Sequence, residues 1–296
     1  MIDYNKILLA LNNIPYTKEF IDKYQISDEY IKNHLSCFID CVESLNICKN
    51  CKGLESCKQA KKGEMITLNF DEAPYNDVTY CKLYLKKKAE DKRIGNFVYS
   101  DIPGEYKDLN LSNIEILDDN IKDLLMRAIG ILDGKRKKGL YIYGDLGIGK
   151  TYMCIALANS LAASGKKVAF IKSNFFINRM RQLISTDTSL YEKIIKDIKE
   201  CQYLIIDDIG SETVSAYSRD DLLFNILDYR MEHKLLTIFT SNLSKNSLLE
   251  HYTYDKDNCS NMRAKRLLER VDILSDDFVL NGQNKRRTLW LEKLVF

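Results

Sequence analysis

Gly144-Asp145-Leu146-Gly147-Ile148-Gly149-Lys150-Thr151 decides how this chain is read. The stretch fits G-x-x-x-x-G-K-[ST], a loop whose glycines let the backbone curl until successive N–H groups point at one anion. The helix expected next, Tyr152–Leu161, offers the positive end of its dipole to the same anion. Lys150 is placed to reach the outer phosphates of a nucleoside triphosphate, and the Thr151 hydroxyl to ligate Mg²⁺. Gly144, Asp145, Leu146, Gly147, Ile148 and Gly149 form the cradle, and Tyr152 borders it. An apolar run, Leu140–Tyr143, precedes the loop and supplies the strand that such a motif requires.

Outward from the loop, short apolar runs alternate with helical patterns. Val168–Ile171, Tyr203–Ile206 and Leu236–Phe239 read as further strands, and segments near 118–132, 150–163, 189–199, 218–232 and 262–271 as helices. Strands separated by helices imply crossovers, hence an α/β fold with a mainly parallel sheet.

Two of those strands end in chemistry. Tyr203-Leu204-Ile205-Ile206 runs into Asp207-Asp208. Asp207 is expected to hold the Mg²⁺ shell. Asp208 stands where many ATPases place a glutamate that orients the attacking water. It is one methylene shorter, so slow hydrolysis is expected. Thr240-Ser241-Asn242 closes the next strand, and the Asn242 amide is suited to positioning that water or touching the γ-phosphate. Hydrolysis also calls for a positive charge at the γ-phosphate. Arg263, Arg266 and Arg270 recur along Asn261–Val271, with Arg266 and Arg270 on one face. Arg219 and Arg230 are rivals, although Arg230 is expected to pair with nearby acids such as Asp228.

The N-terminal part is different in kind. Six of the nine cysteines lie in it, and Ser27 is placed to cap a helix carrying Ile31, Leu35, Phe38, Val42 and Leu45. Cys48, Cys51, Cys57 and Cys81 supply four thiols, the first two in the Cys-x₂-Cys step that turns two thiolates onto one tetrahedral Zn²⁺. With the β-like stretch Met65–Phe70 between the third and fourth, a zinc-ribbon-like site is expected. Cys37 and Cys41 read as core. A charged run, Lys86–Arg93, separates the halves and reads as a helix end or a linker. The expected organisation is a helical and zinc-binding domain over 1–95, a linker over 96–104 and the phosphate-loop domain over 105–296.

The chain has 296 residues, 45% of them apolar and 29% charged, with 44 basic against 42 acidic side chains for a net +2. That balance excludes a fibrous or fully disordered protein and a histone-like or polyacidic one. No apolar run approaches the roughly 18–20 residues that span a bilayer, and no signal peptide is legible. Free thiols and the missing leader point to a reducing, cytoplasmic setting and no membrane partner. Lys135-Arg136-Lys137-Lys138 is a dense basic turn. Lys172–Arg181 mixes bases with Phe175 and Phe176, as single-stranded DNA sites do, although such phenylalanines are more often core.

The phosphate loop, Leu204-Ile205-Ile206-Asp207-Asp208-Ile209-Gly210, Thr240-Ser241-Asn242 and the Arg266-Leu267-Leu268-Glu269-Arg270 helix together resemble the DnaC/DnaI helicase-loader group of AAA+ ATPases. The resemblance covers roughly residues 40–290. It implies an AAA+ ATPase that loads the hexameric replicative helicase onto single-stranded DNA, with a zinc-binding N-terminal domain contacting the helicase. It further implies self-association through the AAA+ domain, Arg270 as a finger on a neighbour's ATP, and Arg286 or Arg287 as a second sensor. The group's zinc site is associated with a histidine between the cysteines, and none lies between Cys57 and Cys81. The rival readings are an IstB-type transposition ATPase, which shares these motifs, and a nucleotide-gated adaptor with negligible turnover.

Overall fold

The computed structural model describes residues 4–253, 260–282 and 284. The chain divides into two compact units, Met1–Asp91 and Lys92–Phe296.

The first unit is built from α1 (Tyr4–Asn13), α2 (Pro15–Tyr24), α3 (Asp28–Asn33), α4 (Leu35–Lys49), the antiparallel hairpin β1 (Glu64–Phe70) and β2 (Pro74–Tyr80), and most of α5 (Lys82–Ile94). The Ser27 hydroxyl accepts from the Tyr30 amide and caps α3. The single helix expected beyond it is broken at His34. There the imidazole Nδ1 lies 3.0 Å from the Tyr30 carbonyl, competing for the acceptor that a continuous helix would use. Leu11, Phe20, Ile31, Phe38, Cys41 and Leu68 form the core, with Cys37 also buried. The Ser44 hydroxyl accepts from the Ile66 amide and ties α4 to β1.

The second unit runs β3 (Phe97–Ser100), α6 (Asp119–Leu132), β4 (Gly139–Tyr143), α7 (Lys150–Ala163), β5 (Val168–Lys172), α8 (Ser173–Thr186), α9 (Thr188–Glu200) and β6 (Tyr203–Asp207). It continues through a wide helical turn, Tyr217–Leu223, into α10 (Phe224–Glu232), then β7 (Leu236–Ser241), α11 (Lys245–Tyr252), α12 (Ser260–Leu274) and β8 (Ser275–Val279). The six strands lie in the order β3-β5-β6-β7-β4-β8, and every pairing is parallel. Alternation sends Leu140, Ile142, Phe170, Ile205 and Ile238 to one face, packed with α7 residues such as Ile155 and Leu157. Tyr141, Ala169, Ile171, Leu204, Ile206 and Phe239 go to the other, with α10 and α12. A sheet covered on both faces explains why its central strands read as unbroken apolar runs.

One expectation changes here. The stretch 96–104 is not only a linker, because Phe97–Ser100 pairs with β5 as the edge strand of the sheet. Of the two readings of the charged run Lys86–Arg93, the helix end is the one found, in α5. No helix among the described residues is long and apolar enough to cross a membrane.

Candidate nucleotide site

β6 and β7 follow one another in sequence, β4 joins them only in the sheet, and the C-terminal ends of all three open on one edge. Ligands of open parallel sheets bind at such an edge, where the strand order reverses. β4 delivers the phosphate loop, β7 delivers Asn242 and β6 delivers Asp207 and Asp208.

The loop conformation requires its glycines. Gly144 has φ +147°, and a Cβ there would lie 2.1 Å from the Leu280 carbonyl oxygen. Gly149, at φ +105°, opens α7 without a side-chain cap, and nothing lies within 4 Å of where its Cβ would be. The positive end of α7 therefore carries no side-chain cap, the arrangement that an anion satisfies.

Lys150 is buried. Its ammonium donates to the carbonyls of Gly144 and Asp145, each at 2.7 Å, and to Asn242 Oδ1 at 2.8 Å. The Asn242 amide in turn donates to Asp208 Oδ1 at 2.9 Å. Asn242 thus bridges the cation of the loop and the acid of β6. Below this bridge, the hydroxyls of Thr151 and Thr240 both donate to Asp207 Oδ1, at 2.8 and 2.7 Å. Burial pushes the Asp207 carboxyl above its ordinary range. The two threonine hydrogen bonds oppose this, and the neighbouring Asp208 charge adds to it. Asp208 follows at φ +60°, with its amide bonded to Thr240 Oγ1 at 2.8 Å.

The residues present fit a Mg²⁺-nucleotide. Thr151 and Asp207 place two hard oxygen donors together beside the uncapped helix end. Tyr152 is largely exposed and meets Tyr106 edge-on, with ring centroids 6.2 Å apart.

The arginines separate. Arg270 does not bond to the loop. It pairs with Asp228 at 2.9 Å and Glu269 at 2.6 Å, and covers the Phe224 ring beside Arg266. Arg230 does not take Asp228 as expected. It is fully buried and donates to the carbonyls of Ile198, Lys199, Cys201 and Leu236 and to Thr237 Oγ1, fixing the sheet's far end. Asp228 is left to Arg270 because the Arg230 fork is filled by backbone. Arg219 is also buried, bonded to Asp220, the Tyr252 carbonyl and Ser260 Oγ. Arg286 and Arg287 lie outside the described residues.

The cysteine expectation is not met in geometry. Among the described residues, no three His, Cys, Asp or Glu side chains are gathered to hold a metal ion. Gln59 Nε2 sits 3.3 Å from Cys48 Sγ. Hydrogen bonds from the backbone of Gly63 and Gln59 hold the Cys57 thiol below its ordinary range. The Cys81 amide donates to the Gly63 carbonyl at 2.8 Å. The thiols share neighbours but do not form a Cys₄ centre.

On α8, Phe176 is core at 0% exposure, whereas Phe175, also expected inside, stands 70% exposed. Adjacent helical positions are about 100° apart, so only one of the pair can face the sheet. In the basic turn, Lys135 pairs with Asp133 and Arg136 with Asp276. Two site residues lie in legible motifs, but their contacts were not foreseen. Thr240 becomes a ligand of Asp207 only through strand adjacency, and Glu212 is drawn in by residues far apart in sequence.

A family model described as "IstB-like ATP binding protein" matches residues 121–284. The chain is 27% identical over 275 residues to "Replicative helicase loader DnaI" of Bacillus subtilis (strain 168), spanning 88% of this chain and 85% of that protein. A crystal structure of DnaI is similar with a TM-score of 0.55 at 29% identity, covering 66% of this chain and all of that one. A putative primosome component from Streptococcus pyogenes serotype M3 gives 0.54 at 30% identity, covering 67% and 98%. The second unit is an α/β domain of AAA+ type, like these neighbours.

Proposed function

Since the chain belongs to the family of IstB-like ATP binding proteins, we propose that it is an ATP-dependent loader that places a hexameric replicative DNA helicase on single-stranded DNA, in the cytoplasm. The observation that carries this reading is the bridge Lys150–Asn242–Asp208 above the Thr151–Asp207 pair, set in a chain whose similarity to a helicase loader spans both units. The transposition-ATPase alternative accounts for the second unit alone, because its family match begins at residue 121.

The roles follow from position. The phosphate loop and α7 would take the triphosphate, with Lys150 on its outer phosphates. Mg²⁺, held by Thr151 and Asp207, would neutralise charge on those oxygens. Asp208 would orient the attacking water, with Asn242 fixing its carboxylate. Exposed Phe175 offers a ring for stacking a base of single-stranded DNA. Arg270 would act on a neighbouring subunit's nucleotide, and Arg286 would sense the bound state. Residues 1–95 would hold the helicase, with 105–296 as the ATPase. Zinc on Cys48, Cys51, Cys57 and Cys81 would require these thiols to be drawn together; what supports it is that Gln59 lies beside Cys48 and Cys57, and Gly63 beside Cys57 and Cys81. One equivalent of zinc in the purified chain, lost on Cys57→Ser, is the expected result of metal analysis.

The deciding experiment mixes the chain with its host's replicative helicase, ATP and circular single-stranded DNA, and measures helicase retained on the circle. ATP-dependent retention is expected. Unchanged retention without the chain, or with Lys150→Ala in its place, overturns the reading. Mixing Arg270→Ala with Lys150→Ala subunits should restore part of the ATPase activity, and no rescue in a demonstrated mixed oligomer would refute action in trans.

A further inference from the structure

The Glu212 carboxylate is 2% exposed and none of the roles above uses it. Three donors converge on it from separate parts of the second unit. Ser173, the first residue of α8, donates its hydroxyl to Oε2 at 2.6 Å. The Gly210 amide, in the turn that follows Asp208, donates to the same oxygen at 3.0 Å. The Tyr252 hydroxyl, at the end of α11, donates to Oε1. Beyond Tyr252 the chain of contacts continues. Arg219 donates to the Tyr252 carbonyl and to Ser260 Oγ, both at 2.9 Å, and Ser260 begins the helix that bears Arg266 and Arg270. Tyr252, Arg219 and Ser260 are all buried.

A buried carboxylate with three donors is costly to disturb, because each donor left behind loses its partner in a low-dielectric interior. The turn that it grips is the one that sets Asp208. Gly210 has φ +90°, the Ile209 amide bonds to the Thr240 carbonyl at 2.9 Å, and Ser241 Oγ bonds to the Ile209 carbonyl at 2.7 Å. Among the described residues, the Glu212 contact to Gly210 is the hydrogen bond of this turn that also reaches α8. α8 carries exposed Phe175, two residues after Ser173.

We infer that Glu212 is a positioning residue that couples single-stranded DNA at α8 to the pose of Asp208, so that DNA occupancy is read out as ATP turnover. The inference rests on the DNA-contacting ATPase reading above. A base stacked on Phe175 shifts the start of α8. Ser173 passes that shift to the Glu212 carboxylate, and the Gly210 amide passes it to the turn that presents Asp208. Glu212 touches neither nucleotide nor DNA. Its contribution is to turnover and DNA response, not to ATP affinity.

The test uses the full chain, with ATP affinity from a fluorescent ATP analogue and initial ATPase rates with and without oligo(dT). Ser173→Ala removes one donor and leaves the carboxylate held by the other two. The expected result is ATP affinity within about twofold of the unaltered chain, DNA-free turnover close to it, and loss of most of the stimulation by oligo(dT). Glu212→Ala is expected to lower turnover roughly 10–100-fold, the range for a misplaced reacting group, again with ATP affinity kept. In Glu212→Gln the side-chain oxygen still accepts from Ser173 and Gly210, so most of the DNA response should return. If Glu212→Ala does not fold, Ser173→Ala decides alone. Undiminished stimulation in Ser173→Ala overturns the inference. So does an unaltered chain that hydrolyses ATP without responding to oligo(dT), which leaves the ATPase reading standing. A chain that does not bind ATP at all overturns that reading and the inference together.

Discussion

Asn242→Ala removes both halves of the bridge between Lys150 and Asp208. The Lys150 ammonium loses one of its acceptors but keeps the carbonyls of Gly144 and Asp145, so its position in the loop should hold. Asp208 loses the donor at 2.9 Å that fixes its carboxylate. A hydrogen bond to an ionised group contributes about 1.5–3 kcal/mol. Asn242 is exposed and Asp208 half-buried, so water replaces part of the contact and the lower end applies. About 1.5 kcal/mol lost from the reacting pose corresponds to roughly a 10-fold fall in kcat. ATP affinity should stay within about threefold, since the cradle amides and Lys150 are untouched. Steady-state turnover alongside titration of a fluorescent ATP analogue separates the two. The reasoning is refuted if kcat is unchanged, or if the whole loss lies in ATP affinity, which would make Asn242 a binding group.

Lys150→Ala should abolish detectable ATP binding while the thermal midpoint stays near that of the unaltered chain, as read by the same analogue and by circular dichroism. The raised pKa of Asp207 should appear in the acid limb of kcat/KM, which reports the free protein and should fall at a pH above the ordinary carboxylate range of about 4. Thr240→Ala removes a hydrogen bond that favours the ionised form, so it should move that limb further up. The same sign holds for stability: Asp207 binds its proton more readily folded than unfolded, so it costs stability at neutral pH, and acidification through its folded pKa lifts that cost. Phe175→Ala should weaken oligo(dT) binding by about 1–3 kcal/mol with little change in folding. Phe176→Ala, one residue on, should instead destabilise the fold by about 3–5 kcal/mol in a urea melt.

Fold class was legible because the central strands are buried on both faces and so read as plain apolar runs. The two edge strands were not. β8 is Ser275-Asp276-Asp277-Phe278-Val279, with only Ser275 and Phe278 buried, and its acids disguise it. β3, Phe97–Ser100, is apolar but only four residues long, and it lies in the stretch read as a linker. α8 was passed over because its pattern of bases and rings suggested a surface before it suggested a helix. In the site, each motif announced itself at the end of its own strand. The contacts between motifs, such as Lys150 on Asn242, depend on which strands are neighbours, and chain order does not place β4 beside β7. Arg270, not Arg230, holds Asp228 because the fully buried Arg230 guanidinium is satisfied by helix-end and strand carbonyls, which carry no side-chain signature.

The left-handed backbone at Asp208 bears on why an aspartate stands there at all. Residues with a Cβ rarely take φ near +60°, and aspartate, whose short polar side chain can bond locally, is several-fold enriched among those that do. Glutamate has no such tolerance. The shorter acid is therefore the form of carboxylate that this bend admits, and a shorter reach comes with the bend. Lengthening the side chain in place would set reach against conformation. A version of this site with a glutamate in that place would need the Ile209–Gly210 turn rebuilt first and the acid extended second.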